Sequence, residues 1–151
     1  MSSDLVFLMG QFEARIPKDR RYALNHMWGS DRGGGVLRFG FTAYAVRLML
    51  DVYFLDWSVA EPAQLAARQE IGAIESKKAE SSLYSPVGGR LLQFNPELLS
   101  DPSAINLDTY GAGWLFDIEA DIEELMSPES YLEFLAVAWE TTRKKLRGQL
   151  G

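Results

Sequence analysis

Over most of this chain, apolar residues come in short runs of about five or six positions punctuated by turn formers, and only near the C-terminus does a helical period replace them. Residues 36–41 (Val-Leu-Arg-Phe-Gly-Phe) have the apolar density of a strand, with Gly33, Gly34 and Gly35 making a flexible turn before it. Thr42 is placed to cap a short helix through residues 43–49. Residues 51–57, rich in β-branched and aromatic side chains, predict another strand. Residues 71–75 and 90–94 predict two more, separated by a polar segment, 76–82, and by Ser85-Pro86-Val87-Gly88-Gly89. Asn95-Pro96 and Asp101-Pro102 mark turns, Gly111-Ala112-Gly113 turns into a strand over 114–119, and residues 62–70 look helical by propensity alone. At the end, Ser127 caps a helix opened by Pro128, and Tyr131, Leu132, Leu135, Ala138, Trp139 and Leu146 fall on one stripe. Basic residues fill its last turn and Gly148 is expected to stop it. The expected picture is a mainly β protein with a short helix near residue 45 and a C-terminal helix lying as a lid on the β core.

Composition narrows this. The 151 residues are 47% hydrophobic, enough for one packed core, expected as a single domain over 22–151 after a leader, 1–21. Arg15, Lys18, Arg20 and Arg21 cluster around Pro17, as in a solvated lead-in. The formal net charge of -6 disfavours general affinity for nucleic acid or anionic membranes. The apolar run near the start is too short for a signal peptide, and the longest one, around 46–57, is broken by Arg47, Asp51 and Asp56, so a cytoplasmic protein is expected. There is no cysteine, which removes disulfides and thiol nucleophiles, and one histidine, His26, is too few for most histidine-based metal sites. No phosphate-binding glycine loop is present. No stand-alone catalytic constellation emerges, so any redox sulfur must arrive with a cofactor.

The segment Glu75-Ser76-Lys77-Lys78-Ala79-Glu80-Ser81-Ser82 is a polar connection between strand-like runs, which puts its lysines at an exposed turn. Alone, an exposed hairpin lysine is a solubilising charge. Its context changes that: Glu75-Ser76-Lys77-Lys78-Ala79 is followed by Leu83-Tyr84-Ser85-Pro86-Val87-Gly88-Gly89, Asn95, Asn106 and Tyr110-Gly111-Ala112-Gly113-Trp114, and preceded by His26-Met27-Trp28, Gly40-Phe41-Thr42-Ala43-Tyr44-Ala45 and Asp51-Val52-Tyr53-Phe54. In order and spacing, over residues 22–140, this resembles the H-protein family of the glycine cleavage system. The resemblance implies a lipoyl/biotinyl-type β sandwich (a barrel-sandwich hybrid) with lipoate amide-linked to Lys78, within the attachment motif Glu75, Ser76 and Ala79. It also implies turn and strand rather than helix near 62–70. Biotin is disfavoured because biotin carriers place Met on both sides of their lysine, whereas Lys77 and Ala79 flank this one. Such a protein is a carrier without catalytic residues of its own, served by a lipoate ligase or lipoyl synthesis enzymes.

The resemblance further implies an arm cleft in which two carboxylates shelter a cationic aminomethyl group. At the matching positions this chain has Met27, beside His26, and Ser82. An ammonium in a cleft needs a compensating anion, which neither supplies, whereas Met suits a softer, sulfur-bearing occupant. With the long leader, this is similar to the lipoate-binding H-like proteins of the sulfur-oxidising heterodisulfide-reductase-like pathway. The expectation is therefore a sulfur cargo, with a heterodisulfide-reductase-like complex and dihydrolipoamide dehydrogenase as partners. The alternative is glycine cleavage, with glycine decarboxylase and aminomethyltransferase, in which Met27 merely fills space and other acids, such as Glu80 or Asp108, serve the cleft.

Overall fold

A computed structural model describes residues 4–150, with side chains through 145. Short alternating segments become strands wherever one face finds a partner to bury against. Residues 5–16, expected to be solvated, form a hairpin of β1 (Leu5–Met9) and β2 (Phe12–Ile16) with Leu5 opposite Ile16. Met9, Ala14 and Ile16 are buried on its inner face while Val6 and Leu8 point outward. The expectation fails because the period-two alternation here, only half apolar, buries its inner face in a core that distant residues supply.

The main sheet has six strands in the order β3 (Arg21–Tyr22), β4 (Met27–Asp31), β5 (Val36–Phe41), β11 (Phe116–Glu119), β10 (Gly89–Phe94) and β7 (Ala63–Leu65). Facing it is a three-stranded sheet, β6 (Val52–Trp57), β8 (Glu70–Ser76) and β9 (Glu80–Tyr84). Leu37, Phe39, Phe116 and Ile118 from the first sheet meet Leu55, Ile71, Ile74 and Leu83 from the second in one buried cluster, the interior of a β sandwich. The helix propensity of 62–70 is overridden as the resemblance implied, since residues 63–65 gain ladder partners in β10 and 66–69 turn. The polar stretch 76–82 holds a strand hidden from composition: in β9 only Leu83 is buried, its partners Ser81 and Ser82 lying exposed.

Four α-helices and one 3-10 turn (Ile122–Glu124) complete the described residues: α1 (Ala43–Met49), α2 (Glu97–Ser100), α3 (Ala104–Leu107) and α4 (Pro128–Leu150). The Thr42 hydroxyl accepts from the Ala45 N–H at 3.3 Å, and the Ser127 hydroxyl accepts from the Ser130 N–H at 3.1 Å, so both caps form as their sequences imply. Tyr131 and Leu135 of α4 pack with Tyr22, Trp28, Tyr44 and the β1–β2 hairpin in a second core, which makes the helix a lid. Gly148 does not end it; the backbone remains helical to Leu150. Glycine in a helix costs only ~1 kcal/mol and terminates it when a left-handed cap is available. The side chain of Leu146 lies outside the described residues.

Candidate functional site

The β8–β9 hairpin places Lys78. Its ladder pairs Ala73 with Ser82, Ile74 with Ser81 and Glu75 with Glu80, leaving residues 77–79 as the tip. Ser76 closes the turn twice over. Its N–H donates to the Ala79 carbonyl at 2.9 Å, and its hydroxyl lies 3.2 Å from that carbonyl and 3.4 Å from the Ala79 N–H, standing in for the acceptor a regular ladder would offer. The Lys77 N–H donates to the Asp51 carbonyl at 2.8 Å, tying the tip to the α1–β6 connection. Lys78 stands exposed between these anchors and makes no ion pair among the described residues.

The connection is clamped in turn by Asn106. Its Oδ1 accepts from the Val52 N–H at 3.0 Å and its Nδ2 donates to the Leu50 carbonyl at 2.7 Å, spanning the residue whose carbonyl holds the tip. Leu50 needs such a clamp, because it sits at φ +60°, a region that costs a side-chain-bearing residue ~1 kcal/mol or more. Asn106 belongs to the series of positions that carries the family resemblance, but its supporting role is visible only in three dimensions. Asn95 does the same for the next loop, donating to the carbonyls of Ala112 and Trp114 and accepting from Glu97 N–H.

Beside the tip lies a 360 Å³ cleft. Phe12, Ala43, Val46 and Leu50 form its apolar wall, while Arg47, Asp51, Lys77 and Asn106 supply polar edges. Three carboxylates, Asp51, Glu75 and Glu80, are exposed around the hairpin. The last two oppose each other in register, an arrangement that costs a sheet stability.

None of His26, Met27 and Ser82, expected to share an arm cleft, lines the cleft at the tip. Met27 is 1% exposed and fills the sandwich interior opposite Phe41, so a carboxylate there would be buried and the residue says little about a cargo. His26 packs against Tyr44, Tyr131 and Phe134, with ring centroids 4.8, 5.9 and 5.7 Å away. Its Nδ1 lies 2.9 Å from the Tyr131 hydroxyl, itself 2.9 Å from Thr42 Oγ1, and desolvation pushes its pKa down to about 4. That ring joins α1 to α4 as a neutral packing element. Ser82 is exposed on β9 opposite Ala73. Of the acids considered as substitutes, Asp108 is committed to the loop at 111–113, accepting from the Ala112 N–H at 2.8 Å, whereas Glu80 stands beside the tip.

A two-sheet sandwich with a lysine on a braced hairpin and a terminal helix defines the class as a lipoyl-type β-sandwich fold. A family model described as Glycine cleavage H-protein matches residues 20–138. Among similar proteins, the glycine cleavage system H protein of Laribacter hongkongensis is 35% identical over 122 residues, spanning 78% of this chain and 95% of its own. That of Mycobacterium tuberculosis is 38% identical over 120 residues, spanning 80% and 89%. The crystal structure of a glycine cleavage system H protein from Mycobacterium marinum superposes with a TM-score of 0.67 at 32% identity, covering 77% of this chain and 95% of that one. The chain belongs to the glycine cleavage H-protein family.

Proposed function

We propose that this protein carries a lipoyl group on Lys78 and serves glycine cleavage, holding an aminomethyl group between glycine decarboxylase and aminomethyltransferase, with a lipoate ligase and dihydrolipoamide dehydrogenase as its other partners. The observation that carries the reading is the exposed Lys78, held at a fixed point by the Ser76–Ala79 closure and the Lys77–Asp51 bond. A lysine so placed fits an amide-linked group, since a ligase can reach it at an exposed turn. When bound, the lipoyl group supplies a strained disulfide that partner enzymes reduce and load. The protein's own residues carry, orient and shelter.

The aminomethyl cargo is favoured over sulfur for two reasons. Met27, the residue behind the sulfur expectation, belongs to the core, and the named relatives are glycine cleavage proteins. Amide formation also removes the Lys78 charge, leaving Asp51, Glu75 and Glu80 around the tip against Lys77 and Arg47, a surplus of one carboxylate that suits a cation. Asp51 stands at the cleft edge, where it replaces the acids missing at Met27 and Ser82.

Co-expression with a lipoate ligase tests attachment: intact mass should show one lipoyl increment, lost in Lys78→Arg and kept in Lys77→Arg. Loss in the Lys77 variant instead would move the site. Loading of the lipoylated protein by glycine decarboxylase, followed by mass spectrometry, tests the cargo. Asp51→Asn should shorten the lifetime of the loaded form, and failure of the unsubstituted protein to load at all would defeat the glycine reading.

A further inference from the structure

A second cleft, of 320 Å³, lies on the outer face of the six-stranded sheet, away from the hairpin lysine's own cleft, and it is lined by three guanidinium groups and no carboxylate. Ser30 pairs with Arg38 and Arg38 with Asp117 across β4, β5 and β11, which puts these side chains in one row on that face. Asp117 lies behind the cleft and takes two N–H groups of Arg38, from Nε at 2.9 Å and Nη2 at 3.1 Å, leaving Nη1. Arg20 donates from Nε to Asp19 and from Nη1 to the Tyr110 carbonyl, leaving Nη2. Arg32 is exposed and has no ion-pair partner among the described residues.

Two of these groups are held rigid by aromatic rings. Arg38 stacks 3.7 Å from the Trp114 centroid, and Arg20 lies 4.8 Å from Trp28 and 5.3 Å from Tyr110. Their side chains are only 21% and 14% exposed, so the positive charge is partly desolvated as well as oriented. Asp117 and Asp19 offset two of the three charges and Arg32 leaves one without an ion pair among the described residues, and guanidinium forks match tetrahedral oxyanions well. In a protein of net charge -6, such a cleft is not explained by bulk electrostatics.

We propose that this cleft is an anion site for a phosphate group, either free phosphate or a small phosphomonoester, bound by Arg20, Arg32 and Arg38 with the Ser30 hydroxyl as a further donor. Its volume is at the lower end for small-molecule sites, which suits one compact dianion. The site is independent of Lys78 and of the cargo.

The test is a titration of the full-length protein at fixed ionic strength with inorganic phosphate, glycerol phosphate and, as a control, chloride, followed through the indole N–H signals of Trp28 and Trp114. Saturable shifts of both signals with phosphate but not chloride are expected, and Arg32→Ala should weaken binding by about tenfold, the usual effect of one charge-assisted hydrogen bond. Tighter binding of glycerol phosphate than of phosphate assigns the esterified source, and the reverse assigns the free ion. Arg32 is exposed, so its variant should melt as the parent does without phosphate. Linear, non-saturating shifts, equal shifts with chloride, or unchanged affinity in Arg32→Ala would overturn the proposal.

Discussion

Replacing Asn106 with alanine tests whether the tip's position is built from behind. The substitution removes two hydrogen bonds, to the Val52 N–H and the Leu50 carbonyl, and leaves both backbone groups partly buried without a partner. Orphaning a buried group costs about 1–3 kcal/mol, and with partial exposure the lower half of that range applies to each, giving about 2–4 kcal/mol in all. For a chain of this length that corresponds to a fall in Tm of roughly 5–15 °C. The effect at the site should be separate from the loss of stability: with residues 50–52 released, the Asp51 carbonyl no longer holds the Lys77 N–H in place. Lipoylation well below the melting transition, followed as a time course by intact mass, should therefore slow. Asn106→Asp sharpens the test, because a carboxylate can accept from Val52 but cannot donate to Leu50, so it should be at least as unstable as alanine. An unchanged Tm in Asn106→Ala would refute the clamp; a lowered Tm with unchanged lipoylation would refute its link to the lysine.

Further outcomes follow from single residues. The His26 pKa is lowered to about 4 against about 6.5 unfolded, so its contribution is intact above pH 6.5 and is lost as pH falls from there towards 4. The full loss is about 3 kcal/mol at most. His26→Asn, which tolerates the φ of +65° at this position, should flatten that part of the stability profile measured by urea unfolding; an unchanged slope would mean His26 is not the group. Glu80→Gln relieves the facing Glu75 and should raise stability by a few tenths of a kcal/mol, seen as a higher urea midpoint at low salt that converges with the parent at high salt. Gly40→Ala puts a methyl group 2.5 Å from the Trp28 ring and should cost about 1–3 kcal/mol, with the Trp28 indole signal displaced from its bond to the Thr109 carbonyl.

Much of this architecture was legible in one dimension, where the signal was local. The strand at 36–41, the Thr42 and Ser127 caps, the turn glycines and the stripe of α4 each depend on a few neighbouring residues, and each formed. The motif around Lys78 is expected as an attachment site only through its resemblance to a family; its geometry gives Ser76 and Ala79 a physical part, since that pair closes the tip. Signals that depend on partners were misread. The leader hairpin and β9 carry half-apolar patterns that become strands only beside α1, α4 and β8, and Gly148 ends a helix only if another conformation is better satisfied.

That division matters most for the cargo. From the sequence alone, Met27 and Ser82 stand as two missing acids in one cleft, because aligned positions imply a shared place. Tertiary structure decides otherwise: Met27 closes the core, Ser82 faces outward, and Asp51, three strands before Lys78 in the chain, comes to the tip through a backbone bond to Lys77. Sequence by itself singled out Lys78 as the candidate, the turn that shows it and the family the chain belongs to, since these are written in contiguous residues. Which charges surround that lysine, and which arginines gather on the opposite sheet, depended on strand register and loop closure, which bring distant residues together with no local pattern to announce it.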